Sequence, residues 1–206
     1  MNVSYFIQLI FKLIANQLKS PIVFADEDNP KTFKTDLLGD YQNQNIRGVV
    51  TTLKQLKEFE VTQDDIKKGL ANVVANTRLL GRWQVLEEEP KTISDTAHNK
   101  EGLQLVLKQI SKEKYNDAHF VLGFVNDKEL EDVLPLFPKE AKYYFVKPNV
   151  PRGLNAEKLR VKAMEFELIG SAYSTVKKGL KAAKKHAKDK DLIYVGGSTF
   201  VVAEVV

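Results

Sequence analysis

The first seventeen residues place apolar side chains on a helical period. Phe6, Ile10, Leu13 and Gln17 fall three or four apart, so the spacing predicts an amphipathic core helix over about 2–18. Pro21 leads into Ile22-Val23-Phe24-Ala25, which reads as a short buried strand, and Asp26 to Lys34 reads as a loop. Phe33 to Leu38 is a second strand candidate. After a turn at Gly39-Asp40, Ile46, Val49, Val50, Leu53 and Leu56 repeat at helical intervals and predict a helix over about 43–58. Thr62 opens another helix as N-cap, with Asp65 standing in for the capping-box Glu. Ile66, Leu70, Val73 and Val74 form its apolar face.

From Arg82 the texture changes. Short apolar runs at 83–86, 91–95, 118–124, 142–147 and 191–195 predict strands. Between them, 99–111, 127–135, 155–166, 172–188 and 198–205 predict helices. Such alternation implies an α/β fold, a Rossmann-like domain whose mostly parallel sheet is flanked by helices. The boundary falls near Gly81. The helix after Gly170 carries an apolar stripe (Tyr173, Val176, Leu180, Ala183, Ala187) on a lysine-rich background. A face this basic could bind RNA or an acidic partner, but no aromatics interleave for base stacking, and it is read as a solvated face.

Composition narrows the class. With 206 residues, 43% hydrophobic and 28% charged, the chain can bury one domain plus part of another. The net charge of +4 suits small anions without demanding nucleic acid. Without cysteine, disulfides and thiolate metal sites are excluded, which fits a reducing compartment. The N-terminal apolar run is interrupted by Gln8 and Lys12 and no basic residue precedes it, so it is not read as a signal peptide. It is also too short and polar to span a bilayer.

Four places could carry chemistry. Asp95-Thr96-Ala97-His98-Asn99 follows a strand and precedes a helix, where anions are favoured; Asp95 or Asn99 could equally cap that helix. Arg82 follows Gly81 at the boundary, where a guanidinium fork could grip a phosphate. Gly196-Gly197-Ser198 allows close backbone approach to a ligand or a tight turn, with Ser198 able to cap the last helix. Gln42-Asn43-Gln44-Asn45 could read an adenine edge or cap a helix. His119 reads as a core histidine and His186 as an exposed one. No H-E-x-x-H, G-x-S-x-G or G-x-G-x-x-G motif is present.

Six segments together resemble one family. Leu38-Gly39-Asp40-Tyr41-Gln42-Asn43-Gln44-Asn45 is similar to "GxHQxxN", with Tyr41 where His is common. Leu80-Gly81-Arg82 is similar to "PGR", with Leu80 replacing Pro, and Asp95-Thr96-Ala97-His98-Asn99 to "DGAHN". Gly123 to Glu129 resembles "GxxxDKD", Pro151-Arg152-Gly153-Leu154 resembles "xRAxxxxxL", and Gly197 to Glu204 resembles "GSxxxVxE". Falling in order over essentially the whole chain, they resemble folylpolyglutamate synthase/dihydrofolate synthase, in the Mur ligase superfamily.

The resemblance implies that residues 1–80 are the C-terminal part of an ATP-binding domain and 81–206 a glutamate ligase domain. It implies a cytoplasmic ligase, monomeric when full length, that uses ATP and Mg²⁺ to join L-glutamate to folate or dihydropteroate through an acyl phosphate. Neither nucleic acid nor membrane is expected as a partner. By the same analogy Asn45 contacts adenine and Arg82 the ATP phosphates or ribose. Asp95 and His98 close over the nucleotide as catalytic residues and help to place the glutamate. Ser198 holds a glutamate carboxylate, with Asn99 and Lys128 as further substrate contacts. None of the 11 glycines is followed by Lys, so the family's phosphate loop is missing. The expectation is a fragment inactive on its own, with exposed apolar surface in residues 1–80 and metal ligands outside it. The alternatives are a stand-alone module binding a small anion or partner, and a nucleic-acid binder through the lysine-rich helix.

Overall fold

A computed structural model describes residues 3–26, 33–126 and 129–206. They form two compact units: residues up to 34 with 43–71, and residues 35–42 with 72–206. Packing thus divides the chain at Ala71/Asn72 and draws 35–42 into the second unit, whereas sequence pattern alone puts a boundary near Gly81.

The first unit is helical. It holds α1 (Val3–Gln17), most of α2 (Gln42–Gln55) and α3 (Gln63–Ala71). Its core is Phe33, Ile46, Val50 and Ile66, with Leu53 and Leu70 against them. The Thr62 cap forms as its sequence predicts: Thr62 Oγ1 accepts from the Asp65 amide at 3.2 Å, and the Asp65 carboxylate accepts from the Thr62 amide at 3.0 Å. Three expectations fail. Helix α1 is no core helix, since Phe6 and Leu13 are 54% and 55% exposed. The 22–25 and 33–38 stretches are irregular, because no strand pairs with either among the described residues. Val73 and Val74 leave the α3 face and begin α4 (Val73–Thr77), where the Asp36 carboxylate accepts from both their amides at 3.0 and 2.9 Å.

The second unit is built on a six-stranded sheet of order β1-β2-β6-β3-β4-β5. Its strands are β1 (Gln84–Glu88), β2 (Lys91–Ser94), β3 (Ala118–Leu122), β4 (Lys142–Val146), β5 (Gly170–Tyr173) and β6 (Leu192–Gly196). Only the β1–β2 hairpin is antiparallel. The central strands are apolar on both faces, as a sheet covered on both sides requires. Phe120, Leu122, Tyr143, Phe145 and Tyr194 point into one core, while Val121, Tyr144, Val146, Ile193 and Val195 point into the other. The first core is closed by α5 (Lys100–Ile110), α6 (Leu130–Val133) and α7 (Ala156–Met164), the second by α8 (Val176–His186) and α9 (Thr199–Val202). Right-handed crossovers explain this split. The chain moves one way across the sheet from β2 through β5, then reverses to insert β6 between β2 and β3, so α8 covers the opposite face.

Strand β5 corrects the expected helix over 172–188. The helix begins only at Val176, behind Thr175, whose hydroxyl accepts from the Lys178 amide at 3.2 Å. Residues 170–173 pair with β4 instead. The segment 127–135 is a short α6 followed by a 3₁₀ turn at Leu134–Leu136; Asp127 and Lys128 lie outside the described residues. Helix α8 presents lysines to solvent, and one of them, Lys184, pairs with Glu87.

Candidate functional site

The loops after β2, β3, β4 and β6 all leave from the carboxyl edge of the sheet, where open α/β folds hold ligands. The loop after β2 is set by the turn that precedes β1. Gly81 has φ +73°, its amide donates to Gln84 Oε1 at 2.8 Å, and its carbonyl accepts from the Thr96 amide at 2.9 Å. A Cβ at Gly81 would lie 2.6 Å from Val202 Cγ1 and 3.0 Å from Thr96 Cγ2. Gly81→Ala combines a left-handed backbone with a clash, and is expected to cost about 2 kcal/mol in urea unfolding. An effect below about 0.5 kcal/mol would show that the turn tolerates a side chain.

Asp95 is the centre of this turn and is only 1% exposed. Its Oδ2 accepts from the Tyr41 hydroxyl at 2.6 Å and the Trp83 amide at 2.7 Å, and its Oδ1 accepts from the Ala97 amide at 2.8 Å. Burial raises the Asp95 carboxyl above its usual range, outweighing these three donors and the nearby Arg82 cation. Burial, together with the Asp95 charge, likewise raises the Tyr41 phenol, which stays a neutral donor. Arg82 itself is exposed beside the pair. Beneath it runs an apolar-walled cavity of about 460 Å³ lined by Leu37, Leu38, Val74, Leu79, Leu80 and Trp83. The Thr96 hydroxyl is buried with no protein partner.

Three residues on, His98 is exposed and its Nδ1 lies 3.0 Å from the Thr96 carbonyl. A carbonyl only accepts, so Nδ1 carries a proton and a neutral imidazole keeps its lone pair on Nε2. His98 lines a second cavity, of about 320 Å³, with Phe124, Arg152, Gly197, Ser198 and Phe200. Gly197 has φ +88°, and a Cβ there would lie 2.9 Å from both the Gly123 carbonyl oxygen and the Phe124 ring. The Ser198 hydroxyl accepts from the Phe200 amide at 3.2 Å, which leaves its own proton to be donated.

The fold therefore brings Arg82 to Asp95, and His98 to Ser198, across three separate loops. Asp95 is a buried acceptor for donors from Tyr41, Trp83 and Ala97. Asn99 is occupied as N-cap of α5, accepting from the Gly102 amide at 2.9 Å. Asn45 is exposed on α2 in the first unit, along a groove it shares with Gln44, Val49 and Thr52. Lys128 lies outside the described residues. Sequence reasoning does not single out Trp83, Thr96 or Phe124. It marks Tyr41 only as a departure from the "GxHQxxN" pattern, and that departure was the available signal.

Comparison with known proteins identifies the domain and its fold. Residues 81–199 match the model for the Mur ligase glutamate ligase domain. A probable bifunctional folylpolyglutamate synthase/dihydropteroate synthase from Haloferax volcanii is 31% identical over 193 residues, covering 92% of this chain and 22% of that protein. The solved structure of Escherichia coli FolC in complex with DHPP and ADP superposes with a TM-score of 0.67 at 27% identity, covering 78% of this chain and 37% of that one. A bifunctional folylpolyglutamate synthase/dihydrofolate synthase solved with Mn, AMPPNP and L-glutamate has the same fold, with a TM-score of 0.65 at 24% identity over 77% of this chain and 37% of that one. The chain spans well under half the length of these relatives. With a matched domain over more than half its residues, the chain belongs to the Mur ligase family, through its glutamate ligase domain.

Proposed function

We propose that this chain supplies the glutamate-ligase side of an ATP-dependent enzyme that joins L-glutamate to a folate or dihydropteroate carboxylate. The observation that carries the reading is the pair of cavities at one sheet edge, one beneath Arg82 and one between His98 and Ser198. The first has largely apolar walls with Arg82 among its lining residues, which suits part of a nucleotide. The second offers a hydroxyl donor, an imidazole and an arginine, which suits a small amino acid with two carboxylates. In the proposed reaction the carboxylate is activated as an acyl phosphate and the glutamate amine attacks it. Arg82 steadies the phosphate-bearing ligand, and the Asp95–Tyr41 pair holds Arg82 and His98 in place. Ser198 holds a glutamate carboxylate. Asn45 contacts adenine, and Asn99, through its cap, keeps the His98 turn in register.

The nucleotide's phosphates need a divalent cation, which neutralises charge as it builds. Among the described residues no three His, Asp or Glu side chains come together to hold a metal. These residues do not fit the ion, and no step is derived through it. No glycine here is followed by Lys, so a phosphate-binding loop of that kind is not encoded in these residues. Glutamate-dependent ADP release with dihydropteroate or tetrahydrofolate is the test, run on this chain and on a protein extended to the length of its relatives. Activity is expected only in the extended protein. Activity in neither would overturn the reading.

A further inference from the structure

Residues 168–188 hold six lysines and no Asp or Glu, and these six account for more than the chain's whole net charge of +4. Five of them, Lys177, Lys178, Lys181, Lys184 and Lys185, lie on α8. At 3.6 residues per turn they fall within an arc of about 120°, while Val176, Gly179 and Ala183 on the opposite side are buried. Lys184 pairs with Glu87, and Lys178 Nζ donates to Ser174 Oγ at 3.1 Å. Lys177, Lys181 and Lys185 are exposed and have no partner among the described residues. They stand four apart, about 6 Å of helix rise each, so like charges repel along the row. Strand β5 is parallel to β4 and α8 starts just beyond its end, so the row begins at the carboxyl edge of the sheet and runs away from it. This arrangement calls for a polyanion. The helix has no aromatic side chain to stack a base and no Arg fork for a phosphate. Its apolar side is spent on the core, which leaves nothing to enter a lipid surface. A chain of carboxylates is what point charges in a row can hold.

We propose that the lysine row of α8 is a docking face for a glutamyl chain, the tail that repeated rounds of the ligase reaction build on one acceptor. This rests on the glutamate-ligase reading above and adds to it a surface for the product. Each glutamate joined through its amine uses up one carboxylate of the acceptor and brings two, so every round adds one negative charge to a flexible chain. One carboxylate on one exposed lysine binds weakly and is screened by salt. Several carboxylates held at once gain from effective concentration, so binding should climb with chain length. A chain of five glutamates is expected to bind about tenfold tighter than a chain of two, and the advantage should shrink as salt is raised.

The experiment is fluorescence anisotropy of a fluorescein-labelled, γ-linked pentaglutamate on the full chain at low salt. It is run on the native protein, on the triple variant Lys177→Gln, Lys181→Gln, Lys185→Gln, and on a control that loses the same charge at three other exposed positions, Lys57→Gln, Lys67→Gln, Lys108→Gln. Thermal unfolding of each confirms that it is folded. The α8 variant should bind about tenfold more weakly than the native chain, and the control within about twofold of it. Equal losses in both variants would mean a general charge effect, and no binding to the native chain would mean no docking face; either result overturns the inference. So does a single-stranded RNA of equal charge that displaces the label at lower concentration than unlabelled pentaglutamate does, since the face would then belong to nucleic acid. All three results leave the ligase reading standing, because ADP release in the extended protein tests it separately. Loss of that activity would sink the reading and the tail assignment together. If the α8 variant does not fold, amide NMR shifts of the native chain decide: pentaglutamate must move residues 176–186, and shifts confined elsewhere sink the proposal.

Discussion

Asp95→Ala is expected to lower the unfolding free energy of the second unit by about 3 kcal/mol or more. The native carboxylate satisfies the Tyr41 hydroxyl and the Trp83 and Ala97 amides at once, in a site that is 1% exposed. Alanine would leave all three donors without an acceptor, and each buried unsatisfied group costs about 1–3 kcal/mol. Asn would keep one oxygen but turn an NH₂ toward donors, so Asp95→Asn should recover no more than about half the loss. Tyr41→Phe removes only one donor and should cost about 1 kcal/mol. The measurement is urea unfolding followed by the fluorescence of Trp83, the chain's single tryptophan, which sits in this turn. A loss below about 1 kcal/mol for Asp95→Ala would mean that water replaces the carboxylate, and that Asp95 does not hold the turn. A second readout separates position from stability. On the proposed function, the extended protein carrying the same substitution should also lose ADP affinity at temperatures where it is folded, because the turns of Arg82 and His98 are both tied to Asp95.

The second unit should also lose stability on acidification, through a cluster at the opposite edge of the sheet. His119 on β3 is fully buried, with Nδ1 3.0 Å from the Tyr144 hydroxyl and Nε2 3.3 Å from Asp191 Oδ2. Burial holds the imidazole below its usual range, with Lys142 adding in the same direction and Asp191 and Asp117 opposing. Burial alone would raise Asp191, but the amides of Lys188 and Asp117, with His119, outweigh it and hold the carboxyl below its usual range. Burial pushes the Tyr144 phenol up to about 12, so it stays neutral.

Both shifts act in one direction. A histidine whose folded pKa is depressed contributes stability that is complete above its unfolded value, near 6.5, and is lost as pH falls below it. A carboxyl whose folded pKa is depressed contributes stability above about pH 4 that is lost below it. Stability should therefore drop by roughly 1 kcal/mol between pH 7.5 and 5.5, then more steeply below pH 4. Asp95 has the opposite sign. Its raised carboxyl favours the folded state at low pH and loses that contribution as pH rises through its folded value. Urea unfolding from pH 8 to 4 on the native chain and on His119→Phe checks the claim. The variant starts less stable, since Asp191 and Tyr144 lose a partner, but its stability should be flat between pH 7.5 and 5.5. A native slope that survives in His119→Phe would assign the acid sensitivity elsewhere.

Much of this was legible along the chain. Phe120, Val121, Leu122, Tyr143, Tyr144, Phe145 and Val146 are apolar at consecutive positions, and only a strand covered on both faces can bury such a run. The motifs around Arg82, Asp95, His98 and Ser198 marked loops that the fold places at one sheet edge, because junctions of strands with helices carry turn and cap chemistry that is local in sequence. Local pattern has no information about partners, and the errors follow from that. Ala172 and Tyr173 read as the start of a helix, yet the β4 edge pairs them with Gly170 and Ser171 in a strand. The apolar α1 read as a core helix, yet its residues find too few neighbours to be buried. The surroundings of the candidate site residues were hidden for the same reason. Asp95 could be read as a ligand contact or a helix cap, and the structure closes donors over it from the distant Tyr41 and Trp83 and from the neighbouring Ala97. Arg152 was marked only as part of a motif, and the loop after β4 bridges to Val125 and lays it on Phe200. Sequence by itself determined the α/β class, the strands of the central sheet and the loops that carry the chemistry, since each depends on side-chain period and capping within a few residues. Strand order, the burial of Asp95 and the meeting of His98, Arg152 and Ser198 were decided only by tertiary structure, because they are set by contacts between residues up to a hundred positions apart.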